Sequence, residues 1–328
     1  MQMQRVTPSD IAQVAELFNR YAEQEVVYKK LPEAEFEHTF ITPKQQVKKI
    51  NLTAKAETGE VIGFASGSLV AGKDIAYVTF VLVDKAHRRQ GVGSRLLAAL
   101  EAALQQEAEQ PLHKYQMIFF NPVTLTWIVP GTPGHDHPNA PGVDVASDAY
   151  IFFKNQGYTD RVFQNSFYLP LEHFAIQPPV REKMNALPQH DLAIGFYDPA
   201  KHFGMEALLE DLGSDDWKKE ILGNLARDDG GDPVIIAEHK GKVVGFTGPI
   251  RVQESGRGYF AGIGVHSQYR QYGLGKSLFS TLCQSLKDIG AGYMTLFTGE
   301  TNPARRIYQS AGFKIVKTWS DMEKEVLS

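Results

Sequence analysis

Two segments put glycines and cations where a backbone could grip an anion. Arg88-Arg89-Gln90-Gly91-Val92-Gly93-Ser94 and Arg270-Gln271-Tyr272-Gly273-Leu274-Gly275-Lys276 each follow a β-branched run and open an amphipathic helix. Free N–H groups at a helix start, with the positive end of its dipole, attract negative charge. Glycines at 91, 93, 273 and 275 remove Cβ atoms that would hold a phosphate off the backbone. Arg88, Arg89, Arg270 and Lys276 add mobile positive charge. The combination suits a diphosphate. A nucleotide P-loop is excluded, because Arg270 stands where that motif needs its first glycine, five positions before Gly275. The dinucleotide fingerprint fails too: no glycine lies three residues beyond Gly93 or Gly275.

The elements that must position these loops also come twice. An offset of 182 positions relates Arg88 to Arg270, Gly59–Phe64 to Gly241–Phe246, and Leu96, Leu100 and Leu104 to Leu278, Leu282 and Leu286. An ungapped register over that span indicates duplication. In the first half the pattern predicts a strand at 3–7, a helix carrying Ile11, Val14, Leu17, Phe18 and Tyr21, and strands at 51–56, 61–70 and 75–83. A helix from Gly91 to about Glu107, a strand at 115–120, a helix near 147–156 and strands at 158–161 and 164–169 complete it. The second half predicts strands at 192–197, 234–239, 243–252, 258–265, 293–298, 313–318 and 319–324. Its helices fall at 202–211, 215–227, 274–289 and 303–310. Runs of strands punctuated by helices indicate an α+β fold. Prolines 178, 179 and 188 mark a linker, giving domains at 1–172 and 190–328 with 173–189 between them. Residues 121–147, rich in Pro and Gly, form a surplus in the first half that is long for a plain connection.

Composition sets outer bounds. A chain of 328 residues with 43% apolar and 22% charged residues is that of a globular protein with ample core. A net charge of −4 with interspersed signs gives no footprint for nucleic acid. No apolar run reaches membrane-spanning length, and the first residues carry no secretory signal. The single cysteine, Cys283, fits a reducing cytoplasm and reads as a small core residue.

Arg-x-x-Gly-x-Gly after a strand, present twice, resembles the GNAT superfamily of acyl-CoA-dependent N-acetyltransferases. Asn302-Pro303-Ala304-Arg305-Arg306-Ile307-Tyr308-Gln309-Ser310-Ala311-Gly312-Phe313 resembles that family's Asn…Ala…Tyr…Gly-Phe signature. The resemblance covers about 1–170 and 190–328 and implies two GNAT-like domains, each a mixed, mostly antiparallel sheet flanked by helices. It implies acetyl-CoA as cofactor, its pyrophosphate held by Arg270, Gln271, Tyr272, Gly273, Leu274, Gly275 and Lys276. Ile263, Gly264 and Val265 would pair with the pantetheine arm like an added strand. Asn302 would bond the cofactor near its thiol end. Tyr308 would protonate the departing thiolate, a task suited to a phenol with an ordinary pKa of about 10. In the first half Arg88, Arg89, Gln90, Gly91, Val92, Gly93 and Ser94 match the loop, and Val81 and Val83 match the strand. Phe153, however, stands for Tyr308 and Ser147 for Asn302. The first half is expected to bind coenzyme A or to keep only the fold.

The remaining polar residues decide less. Glu238, Glu254, His266 and Glu300 are positional candidates for a general base. His135-Asp136-His137 lacks helical ligand spacing, so no metal is expected. The resulting expectation is a cytoplasmic N-acetyltransferase acting on a primary amine, with no acyl-enzyme, and a small-molecule amine as favoured acceptor. A protein or peptide amine, and a non-catalytic acyl-CoA-binding sensor, are the alternatives. The sequence assigns no oligomeric state.

Overall fold

Apolar residues at helical spacing do bury one face in each half. A computed structural model describes residues 1–23 and 27–326 and divides the chain into two compact units, Met1–Asn165 with the residues from Lys317 onward, and Ser166–Val316. The first unit contains β1 (Gln2–Arg5), α1 (Ile11–Tyr21), α2 (Glu33–Phe36), β2 (Val47–Lys55), β3 (Val61–Val70), β4 (Ile75–Val83), α3 (Val92–Glu107) and β5 (Lys114–Met117). The surplus segment adds β6 (Trp127–Ile128), β7 (Asp136–His137) and β8 (Val143–Asp144), followed by α4 (Asp148–Asn155) and the start of β9 (Thr159–Pro170). β1 to β4 form antiparallel neighbours in order, and β5 joins β4 in parallel. β3 is buried on both faces because α3 covers one side and α1 the other. Leu96, Leu97, Leu100 and Leu104 of α3 are all buried.

The second unit contains α5 (Pro178–Ala186), β10 (Leu192–Phe196), α6 (Met205–Leu212), α7 (Asp215–Leu225), β11 (Ile235–His239), β12 (Lys242–Thr247), β13 (Ile263–Val265), α8 (Leu274–Asp288), β14 (Tyr293–Gly299), α9 (Arg305–Ser310) and the start of β15 (Lys314–Glu325). β10 to β13 form an antiparallel sheet, with α8 packed on one core and α6 and α7 on the other. Cys283 is buried on α8, its thiol pushed up by desolvation, as a core role requires. Each unit is therefore an α+β layer structure with a sheet between helices, mixed in the first unit and antiparallel from β10 to β13 in the second.

The unit limits differ from the boundaries drawn on the sequence. The stretches 158–161 and 164–169 merge into β9, and 313–318 and 319–324 merge into β15. Residues 317–325 of β15 then belong to the first unit, where Met322–Glu325 pair with Met117–Lys114 and Trp319–Ser320 pair with Asp144–Val143. The proline linker is a helix: Pro178 and Pro179 occupy the first turn of α5, where missing N–H groups cost nothing. β12 stops at Thr247 and β13 starts at Ile263, both shorter than expected, since residues 248–262 lie mostly outside the ladder.

Candidate active site

In both units the strand feeding the glycine loop parts from its parallel neighbour. β4 pairs with β5 only from Ile75 to Tyr77. Its register against β3 jumps at Ser66/Gly67, which leaves Thr79 as an extra residue on β4, and such a bulge bends a strand. Gly67 is needed opposite it, because a Cβ there would stand 2.8 Å from Tyr77 O. In the second unit Arg257 bridges Tyr293 in parallel and Gly258 N–H donates to Tyr293 O at 2.8 Å. Beyond that point β13 is the last strand of its sheet, and no ladder joins it to β14 among the described residues. Val81 and Val83, and Ile263, Gly264 and Val265, thus sit on strands that have left their parallel partner at the fork.

The duplication persists in the hydrogen bonds. Arg88 Nε donates to Val83 O at 2.9 Å and Arg270 Nε to Val265 O at 3.2 Å. Asp84 caps the turn by accepting from Ala86 N–H at 3.0 Å, and His266 Nδ1 accepts from Gln268 N–H at 3.3 Å. Burial opposes charge on Asp84, yet the Ala86 N–H, the Tyr21 hydroxyl and Arg20 hold its carboxyl below the usual range. Gly91 and Gly273 take φ of +76° and +75° and start α3 and α8. From Arg89 to Ser94 no backbone N–H has an acceptor among the described residues, the first helical bond being Arg95 N–H to Gly91 O. The second loop is tighter: 267–272 form a 3-10 helix and Gly273 N–H turns back to Arg270 O at 3.4 Å. Its free donors are Leu274, Gly275 and Lys276 rather than the whole run from Arg270. Gln271 bonds Gln268 O, and the Tyr272 ring lies 4.8 Å from that of His190. Gly93 and Gly275 serve packing as well as access, since a Cβ would meet Phe152 at 3.3 Å and Ile307 at 3.0 Å.

Tyr308 lies on α9, 5% exposed, with ring centroids 5.0 Å from Phe279, 5.6 Å from Phe167 and 6.0 Å from Phe260. Burial pushes its phenol above the ordinary range, which keeps the proton on. No hydrogen bond joins its hydroxyl to a described residue. Asn302 Oδ1 caps the start of α9 by accepting from Ala304 N–H at 2.9 Å. Phe153 occupies the matching place on α4, packed against Phe152 and Tyr158. Ser147 Oγ is spent on Asp144 O at 2.7 Å.

Two of the four candidate bases, Glu238 and His266, are absorbed by structure. Glu238 holds the β11–β12 turn by accepting from Gly241 N–H at 2.5 Å. His266 caps its turn and lies 3.7 Å from Asp211. Glu254 sits in an exposed turn, and Glu300 O accepts from Arg305. His137 stacks on Trp127 and its Nδ1 lies 3.1 Å from Asn139 N. Among the described residues no three metal-ligating side chains converge, and no helix is long and apolar enough to cross a membrane.

A family model described as acetyltransferase (GNAT) matches residues 11–114 and 193–313, one stretch in each unit. The chain belongs to the GNAT acetyltransferase family. A family of this chemistry makes the chain an acyl-CoA-dependent acetyltransferase, and its two matched regions make it a tandem GNAT protein. Among solved structures it resembles a GCN5-related glucosamine N-acetyltransferase region of a fungal multi-domain β-N-acetylglucosaminidase, at 16% identity and TM-score 0.69 over 98% of this chain. The chain spans only 38% of that fungal protein. A GCN5-related N-acetyltransferase from Sphaerobacter thermophilus aligns at 14% identity and TM-score 0.64, covering 99% of this chain and 95% of that one. A tandem GNAT protein from the clavulanic acid biosynthesis pathway aligns at 16% identity and TM-score 0.61, covering 100% and 99%. At these identities the likeness is one of fold. No curated protein sequence matches.

Three residues of this GNAT chain were not singled out by sequence. Lys183 on α5 lays its stem against the second loop, 3.0 Å from where a Cβ at 273 would stand, and nothing in a proline-flanked segment signals that approach. Asn121 ties the first fork: Nδ2 donates to Val78 O and Oδ1 accepts from Thr79 Oγ1, both at 3.1 Å. Asp321 is fully buried on β15, accepts from Gln164 Nε2 at 3.3 Å, and leaves Oδ1 without a partner.

Burial pushes the Asp321 carboxyl up to about 6, against the smaller pull of Gln164, Arg161 and the Phe119 N–H. A group raised in the folded state contributes stability that is present below the unfolded carboxylate range, about 4, and is lost as pH rises through about 6. Asp321→Asn cannot ionise. Its stability relative to the parent should rise by about 3 kcal/mol between pH 4 and pH 8, the free energy that corresponds to a carboxyl held about two pH units above its ordinary range. Denaturant unfolding at a series of pH values checks this, and a difference independent of pH would refute it.

Proposed function

We propose that this tandem GNAT protein acetylates the primary amine of a small molecule with acetyl-CoA, and that the chemistry belongs to the second unit. The observation that carries the reading is Tyr308, a buried phenol held protonated and unbonded on α9, against Phe153 at the matching place. Leu274, Gly275 and Lys276 N–H groups, with Arg270 and Lys276, would hold the pyrophosphate. Ile263, Gly264 and Val265 would bind the pantetheine arm through the freed edge of β13, and Asn302 its thiol end. Acetyl-CoA supplies the activated thioester. The nitrogen of the neutral amine would bond to the carbonyl carbon as the carbon–sulfur bond breaks; Tyr308 would give its proton to the leaving sulfur, and the proton shed by the acylated nitrogen would restore the phenol through solvent. In the first unit Val81, Val83 and 88–94 would bind a cofactor without that acid. We take 1–172 and 190–328 as the two ancestral repeat lengths, and the single cysteine as suited to the cytoplasm.

Thiol release from acetyl-CoA, measured against a panel of small primary amines and of peptides, tests the reading. Turnover above the hydrolytic background is expected with at least one small amine. Turnover confined to peptides would move the reading to protein acetylation, and none with either would favour a sensor.

A further inference from the structure

The fork of the first unit ends in a cavity that the pyrophosphate loop alone does not explain. Its volume is about 80 Å³, and its walls include Val78 and Val81 of β4, Met117 and Ile118 at the end of β5, Phe153 of α4 and Trp319 of β15. The surplus segment contributes Asn121, Leu125, Val143 and Asp144 to its walls. Trp319 is fully buried and backed by Trp127 at 5.4 Å, so that wall is rigid.

The polar side chains on the walls other than Tyr28 are already bonded. Asn121 is bonded to Val78 O, Thr79 and Val123 N–H. Ser147 donates to Asp144 O. Asp144, the one carboxylate of the lining, is paired with Lys317 and accepts from Ala146 N–H at 3.0 Å. Tyr28 adds a phenol kept neutral by burial. An alkylammonium would find no unpaired anion here, and most of the lining is apolar, so it suits a neutral, mainly apolar group. On a measure where about 10–15 Å³ holds one water-sized atom, the cavity takes roughly five to eight heavy atoms. An acetyl group has three.

We propose that the first unit is a binding site for acyl-CoA with a chain longer than acetyl, of about six carbons, and that the 121–147 segment forms the acyl pocket. The inference rests on the reading of Arg89–Ser94 as a pyrophosphate site, whose free N–H groups lie at the outer end of the strand that lines the cavity. Phe153, where the second unit has Tyr308, makes this a site that holds its ligand without turning it over. The tandem then joins a catalytic unit to one that reads a different acyl-CoA.

Calorimetric titration of the full chain with acetyl-CoA and hexanoyl-CoA tests it. Each buried methylene is worth roughly fourfold in affinity, so hexanoyl-CoA should bind one site on the order of a hundredfold more tightly than acetyl-CoA does. Ala149 lines the cavity from the half-exposed face of α4, and Ala149→Leu should cut that preference to below tenfold while leaving acetyl-CoA affinity within about twofold. Ala140→Leu, at another residue of the lining, is the second variant should the first unfold. Equal affinities for the two thioesters, or a preference that both filling variants leave intact, would overturn the proposal. Amine-dependent thiol release in the same samples reports the second unit separately: turnover without chain preference sinks this inference alone, and preference without turnover sinks only the earlier reading.

Discussion

Tyr308→Phe should lower kcat by about 10²–10⁴-fold, the usual contribution of general acid catalysis, and leave the KM for acetyl-CoA nearly unchanged. The substitution keeps the ring that packs on Phe279, Phe167 and Phe260 and removes only the hydroxyl, so no loss of fold accompanies it. Phe153→Tyr should add no measurable turnover, because Ser147 stands where the second unit has Asn302 and its hydroxyl is committed to Asp144 O. The measurement is steady-state thiol release with any accepted amine. Full kcat in Tyr308→Phe would remove the acid from Tyr308, and with it the assignment of chemistry to the second unit.

Gly142→Ala should cost about 3–5 kcal/mol and lower Tm by roughly 10 °C or more. Gly142 holds a φ of +129°, and a Cβ there would stand 2.5 Å from Ser320 O and 2.9 Å from Ser320 C. Both are backbone atoms of β15 at the point where it pairs with β8, so neither can swing aside. Gly134 in the same segment is the control: its φ is +86°, but nothing lies within 4 Å of an added Cβ. Gly134→Ala should therefore cost only the strain of a left-handed residue, about 1–2 kcal/mol. Thermal melts of both variants decide the matter, and equal losses would mean that the contact with Ser320 does not limit stability.

Local pattern carried the fold a long way. Leu96, Leu100 and Leu104 and their counterparts at 278, 282 and 286 are buried as their spacing requires, and the offset of 182 survives in the strand register, Gly63 against Val83 and Gly245 against Val265. What the pattern could not carry was whether adjacent strand-like stretches join. Residues 313–318 and 319–324 read as two strands on short-range pattern alone, and only partners far off in sequence, Val145 bonded to Thr318 and Asp144 paired with Trp319, carry the pairing across the junction. The site follows the same division. The glycine loops and Tyr308, the residues of the proposed site, are contiguous motifs that a sequence can single out, whereas Lys183 reaches Gly273 by a helix packing that no short-range signal encodes. The His135-Asp136-His137 run stands out by residue type, but the walls of the adjoining cavity come from its apolar neighbours.

The route of β15 has a consequence in time. Residues 317–325, which pair with β5 and β8, leave the ribosome about 150 residues after Asn165, the last of the preceding stretch of the first unit. At about 5–20 residues per second, synthesis leaves that sheet incomplete for roughly 10–30 s, with the outer edge of β5 open to other chains. The unit made first is thus finished last, and a nonsense lesion or proteolytic cut just before Lys317 would be felt about 150 residues upstream, in the half of the protein already made.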